Sequence, residues 1–313
     1  MEGTLNYNSG TIATTAHTPI EIVNLCRDLS AINRKGFNQT SSKGVPLVYH
    51  CRITMYRTPD ASDADLLTEM VAITAPQNWV YRNAAVKLHA ARNKMFAKNG
   101  VTKSMLGRYA KTIRYGFSEA AAGDMTSYNL PLGETNPDSS QVALWDEDGS
   151  EIWDLSQLAI TTDTSLYATL CHNSLDEESA ITGAVSFNLA EAYLNSRKTV
   201  QLDDETDADT PASFSIIRDM FQDYQAGTSD EVLVISETVQ DNPPYDADDI
   251  DGSFTQCVEQ GRCHTGQGTA SISIMNVDVP FGLLCLRARR WNAGGSGNFD
   301  FRVDVLGVSE MQG

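Results

Sequence analysis

The sequence lacks the local signatures by which most enzymes announce themselves. It contains no Gly-x-Ser-x-Gly turn, no Walker loop and no His-Glu-x-x-His pair. Its histidines, His17, His50, His89, His172 and His264, never stand in a His-x-His spacing, which removes the simplest ligand cluster of a cupin-like enzyme. The cysteines, Cys26, Cys51, Cys171, Cys257, Cys263 and Cys285, include no Cys-x-x-Cys pair. The dipeptides His50-Cys51, Cys171-His172 and Cys263-His264 are therefore too dispersed for a usual structural zinc site, and buried thiols in a reducing compartment are the expectation. No stretch approaches the roughly 18 apolar residues of a membrane span. The N-terminus, MEGTLNYNSGTIATTAHTP, has neither the basic start nor the apolar run of a secretory signal. These absences predict a soluble, cytoplasmically made chain with no catalytic residues, no cofactor, no metal and no small-molecule substrate.

One further absence is local. From Gln77 to Phe117 there is no Asp or Glu, whereas Arg82, Lys87, Arg92, Lys94, Lys98, Lys103, Arg108, Lys111 and Arg114 all fall there. The rest of the chain is acidic. Residues 1–117 carry a net charge of +8 and residues 118–313 a net of −26, within a total of −18 over 313 residues. Charge segregated in this way implies a partner: an acidic surface on a neighbouring copy, or a nucleic acid met from one side. The candidates are Arg82, Lys87, Arg92, Lys94 and Lys98.

The basic stretch reads as one long helix. Thr74-Ala-Pro-Gln77 resembles a capping box, Asn99-Gly100 a left-handed stop, and Val80, Ala84, Leu88, Ala91 and Met95 a narrow apolar stripe, with Arg82, His89 and Arg92 on another face. Earlier, Thr18-Pro-Ile-Glu21 predicts a helix through Ile22, Leu25, Leu29 and Ile32 that ends at Lys35-Gly36. Val45 to Arg57 predicts a strand, and Leu66 to Thr74 fits strand or helix equally.

The irregular segment Ser118–Ser140 predicts a domain boundary. Beyond it, a hairpin with paired Trp145 and Trp153 is expected around Asp-Glu-Asp-Gly149. Strands follow at Ser165–Cys171, Ala180–Phe187, Glu231–Val239, Ala270–Val279, Phe281–Trp291 and Phe299–Gly307, with helices at Asn188–Arg197 and from Thr210-Pro211 to Gly227. Gly261 to Gly268 is expected to be a surface loop. Asp246 to Gly252 misaligns with a calcium loop, because Ala247 and Val258 fall where carboxylates should stand, so solvated acidity is expected there or a loose cation site with Glu237 or Glu259. Many short strands with interrupting helices predict a mainly β fold of sandwich or jelly-roll type.

Three segments carry a family resemblance: Asp28-Leu-Ser-Ala-Ile-Asn-Arg-Lys35, Pro76-Gln-Asn-Trp-Val-Tyr-Arg-Asn-Ala84, and Val279-Pro-Phe-Gly-Leu-Leu284 before Phe301-Arg-Val-Asp-Val-Leu-Gly307. In order and texture they resemble major capsid proteins of tailless icosahedral viruses, particularly the double jelly-roll proteins of small bacteriophages. That resemblance implies two jelly-roll (antiparallel β-sandwich or barrel) domains with inserted helices: residues 1–130, holding the N-terminal helix, the first β-roll and the long basic helix, and residues 131–313, a second, acidic β-roll. It implies a structural protein that self-assembles as a homotrimer, the pseudo-hexameric capsomer of an icosahedral virion shell. Its further partners would be other capsid or penton proteins and, as is common in that family, an internal membrane and a DNA genome. The rival expectations are a carbohydrate-binding β-sandwich module, with Trp145 and Trp153 as exposed aromatics, and a cupin-like enzyme.

Overall fold

The computed structural model describes residues 3–12, 20–58, 68–102, 104–117, 155–159, 165–170, 184–198, 257–265, 271–290 and 297–312. Within them the chain is mainly β. In order they hold β1 (Thr4–Ile12), β2 (Ile20–Asn24), α1 (Leu25–Asn33), β3 (Leu47–Thr58), β4 (Thr68–Thr74), α2 (Trp79–Lys98) and a single 3-10 turn at Arg108–Lys111. These are followed by β5 (Gln157–Ala159), β6 (Ser165–Thr169), β7 (Ala184–Asn188), α3 (Leu189–Lys198), β8 (Val258–Thr265), β9 (Ser271–Pro280), β10 (Leu283–Arg290) and β11 (Gly297–Glu310).

Eight strands form two four-stranded sheets, ordered β1-β11-β3-β9 and β2-β10-β4-β8, in which every pair is antiparallel. Period-two alternation gives each sheet an inner face. Leu5, Tyr7, Cys51, Ile53, Met55, Met275, Val277, Phe301 and Val303 of the first sheet meet Val23, Met70, Ala72, Cys263, Leu284, Leu286 and Ala288 of the second in one buried core. Tyr7 stacks on Phe301 at 4.8 Å.

The second sheet is covered on its other side as well. Ile22, Leu283 and Cys285 join Val80, Tyr81, Ala84, Ala85 and Leu88 of α2 and Leu189, Ala190, Tyr193 and Leu194 of α3 in a second buried cluster. Burial on both faces explains why Leu283–Leu286 is a continuous apolar run and not an alternating one. A small sheet, β5-β6-β7, adds Ala168 and Phe187 to this cluster, and its β6–β7 pair is parallel.

β1 to β4 find their partners in β8 to β11. The sandwich thus takes strands from both sides of the boundary expected at residue 130, and Ser118–Ser140 lies outside the described residues. The Trp145/Trp153 hairpin, the 211–227 helix, the 231–239 strand and the Asp246–Gly252 loop lie outside them too.

Three local expectations fail for identifiable reasons. The helix expected from Thr18 starts only at Leu25, capped by Asn24, whose side chain accepts from the Arg27 amide at 3.1 Å. Ile20 to Asn24 is instead strand, because Ile, Ile and Val favour extended backbone and β10 supplies a ladder from Leu283 to Arg287. The Gly261–Gly268 loop is half strand: β8 runs through Gly261, where the ladder with β4 shifts register beside Ala72. A Cβ there would lie 3.2 Å from the Val277 side chain, so glycine lets β8 approach β9 closely. Thr74 does not cap α2. It ends β4, while Asn78 accepts from the Tyr81 amide at 3.0 Å and the helix begins at Trp79.

Two local signals hold at helix ends. Gly100 takes φ +72 after the Asn99 cap, and α3 starts where Asn188 accepts from the amides of Ala190 and Glu191. The Pro280-Phe281-Gly282-Leu283 turn that joins β9 to β10 has positive φ at both central residues, 57° and 66°, the primed geometry whose twist suits a hairpin. Phe281 pays the strain because its ring is fully buried and meets Tyr115 edge-on at 5.0 Å.

Candidate assembly surface

α2 carries the row of cations, and the fold divides that row. Its start is fixed by Asn78 and its length by Asn99-Gly100, and twenty residues rise about 30 Å. The helix lies against the second sheet, α3 and the segment that follows it, so its buried arc is wider than the predicted stripe. Tyr81, Ala85, His89 and Arg92 are buried together with Val80, Ala84 and Leu88. The polar face expected to hold Arg82, His89 and Arg92 is therefore turned largely inward.

Each inward cation has a partner within the chain. Arg82 Nε donates to the Met311 carbonyl at 3.2 Å. Lys87 Nζ lies 5.7 Å from the centre of the Tyr193 ring. Arg92 Nη2 donates to the Ala110 carbonyl at 2.9 Å, and its guanidinium lies 4.9 Å from the Phe96 ring centre. Burial lowers the Arg92 pKa from its ordinary value, yet an arginine keeps its charge in a protein. His89 is pressed against Gly44, where an added Cβ would stand 2.5 Å from the His89 Cβ.

Lys94 and Lys98, one turn apart, face solvent, as does Lys111 in the 3-10 turn that Arg92 ties to the helix. Met105 at the same end of the helix is 71% exposed. Of the five predicted residues, Lys94 and Lys98 are thus the pair available to a partner.

A second exposed region was not legible in the sequence. Among the described residues β9 is an edge strand, ten residues long, whose ladder to β3 runs without a register shift, and it turns Ile272 and Ile274 to solvent. β1, at the opposite edge, is broken by a shift between Asn8 and Thr11, and β8, an edge of the other sheet, meets one beside Ala72. Leu306 and Val308 on β11 are exposed as well.

Charge clusters brace both sheets. Asp304 accepts from Thr4 Oγ1 at 2.8 Å, Arg302 Nε at 2.7 Å and Arg52 Nη2 at 3.1 Å. Burial opposes its ionisation, but these hydrogen bonds outweigh burial and hold the carboxyl below the usual range. Glu69, whose side chain is fully buried, is likewise held low by Arg289 and Arg262. Glu259, named with Glu237 as an alternative partner in a loose cation site, accepts from Arg262 at 2.7 and 2.8 Å.

Cys26, Cys51, Cys263 and Cys285 are buried free thiols. Burial pushes Cys26 up to about 12, which keeps it protonated and inert. Cys257 departs from the expectation, being disulfide-bonded. Among the described residues, no three His, Cys, Asp or Glu side chains cluster to hold a metal, and no helix is long and apolar enough to cross a membrane. Comparison of the chain with protein-family models, with curated proteins and with solved structures returns no match.

Proposed function

We propose that the eight strands form a jelly roll and that the protein is a structural shell protein which assembles with copies of itself, as in the capsid of an icosahedral virus. The observation that carries the reading is the nesting of strand pairs. β1 pairs with β11 and β2 with β10, β3 with β9 and β4 with β8, so these eight strands form one long antiparallel hairpin of strand pairs. Folding that hairpin across itself adds the β11–β3 and β10–β4 neighbours and distributes alternate strands to opposite sheets. Such nesting supports a jelly-roll winding, an architecture used by viral shells, lectins and cupins.

On this reading there is one roll where the resemblance implied two, because the eight strands draw on both ends of the chain. α2, α3 and the small sheet, which fall between β4 and β8 in the sequence, are then additions between the fourth and fifth strands of the roll. The choice of a shell over a lectin or an enzyme is a fold-level analogy supported by three features. The inter-sheet space, where a cupin would hold its ligands, is filled by the side chains of the first core. The chain has strongly segregated charge. An unbroken edge strand also displays isoleucines to solvent, a surface that monomeric proteins usually blunt. A homotrimeric capsomer, other shell proteins, an enclosed membrane and a DNA genome are the partners this reading would bring, with the virion as its location.

The test is the mass of the concentrated protein by light scattering and sedimentation, with negative-stain imaging, for wild type and for Lys94→Glu with Lys98→Glu. Trimers or larger closed assemblies are expected. They should weaken at least tenfold in association when the two cations are reversed, because like charge then faces the acidic partner surface. A wild-type protein that stays monomeric at high concentration overturns the shell reading. Assembly unchanged by the reversal, with DNA retention lost, transfers the two lysines from a subunit contact to a genome contact.

A further inference from the structure

Three side chains on the outer face of the first sheet stand in a geometry that the shell reading does not use. β3 lies between β11 and β9, and His50 on it is opposite Asp278 of β9 and Gly307 of β11. His50 Nδ1 is 2.6 Å from Asp278 Oδ1, and His50 Nε2 is 2.9 Å from Ser309 Oγ. An ionised carboxylate only accepts hydrogen bonds, so in the neutral ring Nδ1 carries the proton and the Nε2 lone pair accepts from the Ser309 hydroxyl. The order is carboxylate, imidazole, hydroxyl, with each ring nitrogen turned to the partner that general-base activation of a serine requires.

The three groups are also accessible. His50 and Asp278 are 43% and 47% exposed, and Ser309 is exposed. β11 is bulged at this point: its register shifts between Val305 and Gly307, which leaves Leu306 without a partner residue and advances Ser309 relative to a regular ladder.

We propose that Ser309 is an activated nucleophile, with His50 as its general base and Asp278 as the residue that positions the ring, and that it accepts acyl groups from small, reactive carboxylic esters. The substrate class follows from the setting. On an open sheet surface little binding energy is available, so the acyl donor must bring its own reactivity, as an aryl ester does. Ser309 Oγ attacks the acyl carbon while His50 Nε2 takes the hydroxyl proton. The aryl oxide departs and receives that proton from His50. Water, giving its proton to Nε2, then cleaves the acyl-serine, and the carboxylic acid leaves as the Ser309 hydroxyl is restored. The proposal does not rest on the shell reading, since it is argued from the geometry of His50, Asp278 and Ser309 alone.

The experiment exposes the full-length protein to a fluorophosphonate probe and locates the label by peptide mass spectrometry. Ser104, exposed and hydrogen-bonded to Thr102, serves as internal reference. Ser309 should label about 100-fold faster than Ser104, within the usual range for a positioned base. Label and hydrolysis of p-nitrophenyl acetate should vanish in Ser309→Ala and fall at least tenfold in His50→Gln. Asp278→Asn should slow labelling and displace its pH profile, while Asp278→Glu restores the wild-type profile. Circular dichroism checks that each variant is folded. Labelling of Ser309 no faster than Ser104 in the folded wild type overturns the proposal by itself, as does undiminished labelling in folded His50→Gln. Either result leaves the three residues as a polar ladder that ties β9, β3 and β11 together.

Discussion

Arg92 should behave unlike its neighbours on α2, and Arg92→Met is the perturbation that separates an inward from an outward cation. Methionine keeps much of the aliphatic length and removes the guanidinium, so the loss is polar. Arg92 donates one charge-assisted hydrogen bond to the Ala110 carbonyl at 2.9 Å, a class worth about 1.5–3 kcal/mol. Its guanidinium over Phe96 at 4.9 Å adds roughly 0.5–1 kcal/mol. The desolvation that burial imposes on the cation is refunded in the variant and offsets part of this. A net destabilisation of about 2–3 kcal/mol is expected. The Ala110 bond also fixes the 3-10 turn against the helix, so its loss should loosen residues 104–112 locally. Urea unfolding measures the global term, and amide exchange across Val101 to Ile113 the local one. Lys94→Met and Lys98→Met, on exposed side chains, should each stay within about 0.5 kcal/mol. If Arg92→Met falls in that same range, or if the lysine variants cost as much as Arg92, then the division of the row into inward and outward cations is wrong.

Two further predictions concern the sandwich. Gly282→Ala should destabilise by about 2–4 kcal/mol, since its φ is +66 and a Cβ would lie 2.7 Å from Cys26 Sγ; Cys26→Ala in the same chain should recover the clash but not the backbone strain, and full additivity of the two losses in thermal melts would contradict this. Asp304→Asn should lower the melting temperature near neutral pH. Because the folded-state pKa of Asp304 lies below its unfolded value, the gap to wild type should persist above the unfolded carboxyl pKa of about 4 and close as pH falls through the folded one. A gap that is the same at pH 2 as at pH 7 would show that the ionised carboxylate is not what the arginines hold.

The sequence by itself determined what depends on neighbours a few residues away. The α2 helix, its Asn99-Gly100 stop, α3 and the strands β3, β9, β10 and β11 were legible because periodicity, β-branching and turn residues act within one or two turns of chain. The tertiary structure decided whatever depends on a partner from elsewhere. Ile20 to Asn24 looks like the first turn of a helix until β10 offers it a ladder. β8, interrupted by Gly261, is a strand only because β4 pairs with it. Helical spacing separates the faces of α2 but not which of them are covered, so the burial of His89 and Arg92 followed from Gly44 and the turn at Ala110 packing against them. His50, Asp278 and Ser309 offer no motif in a linear reading, since 228 and 259 residues separate the histidine from its two partners. They meet because strands from opposite ends of the chain lie edge to edge in one sheet, and a register that is set by burying alternate side chains also fixes which polar ones stand side by side on the outer face.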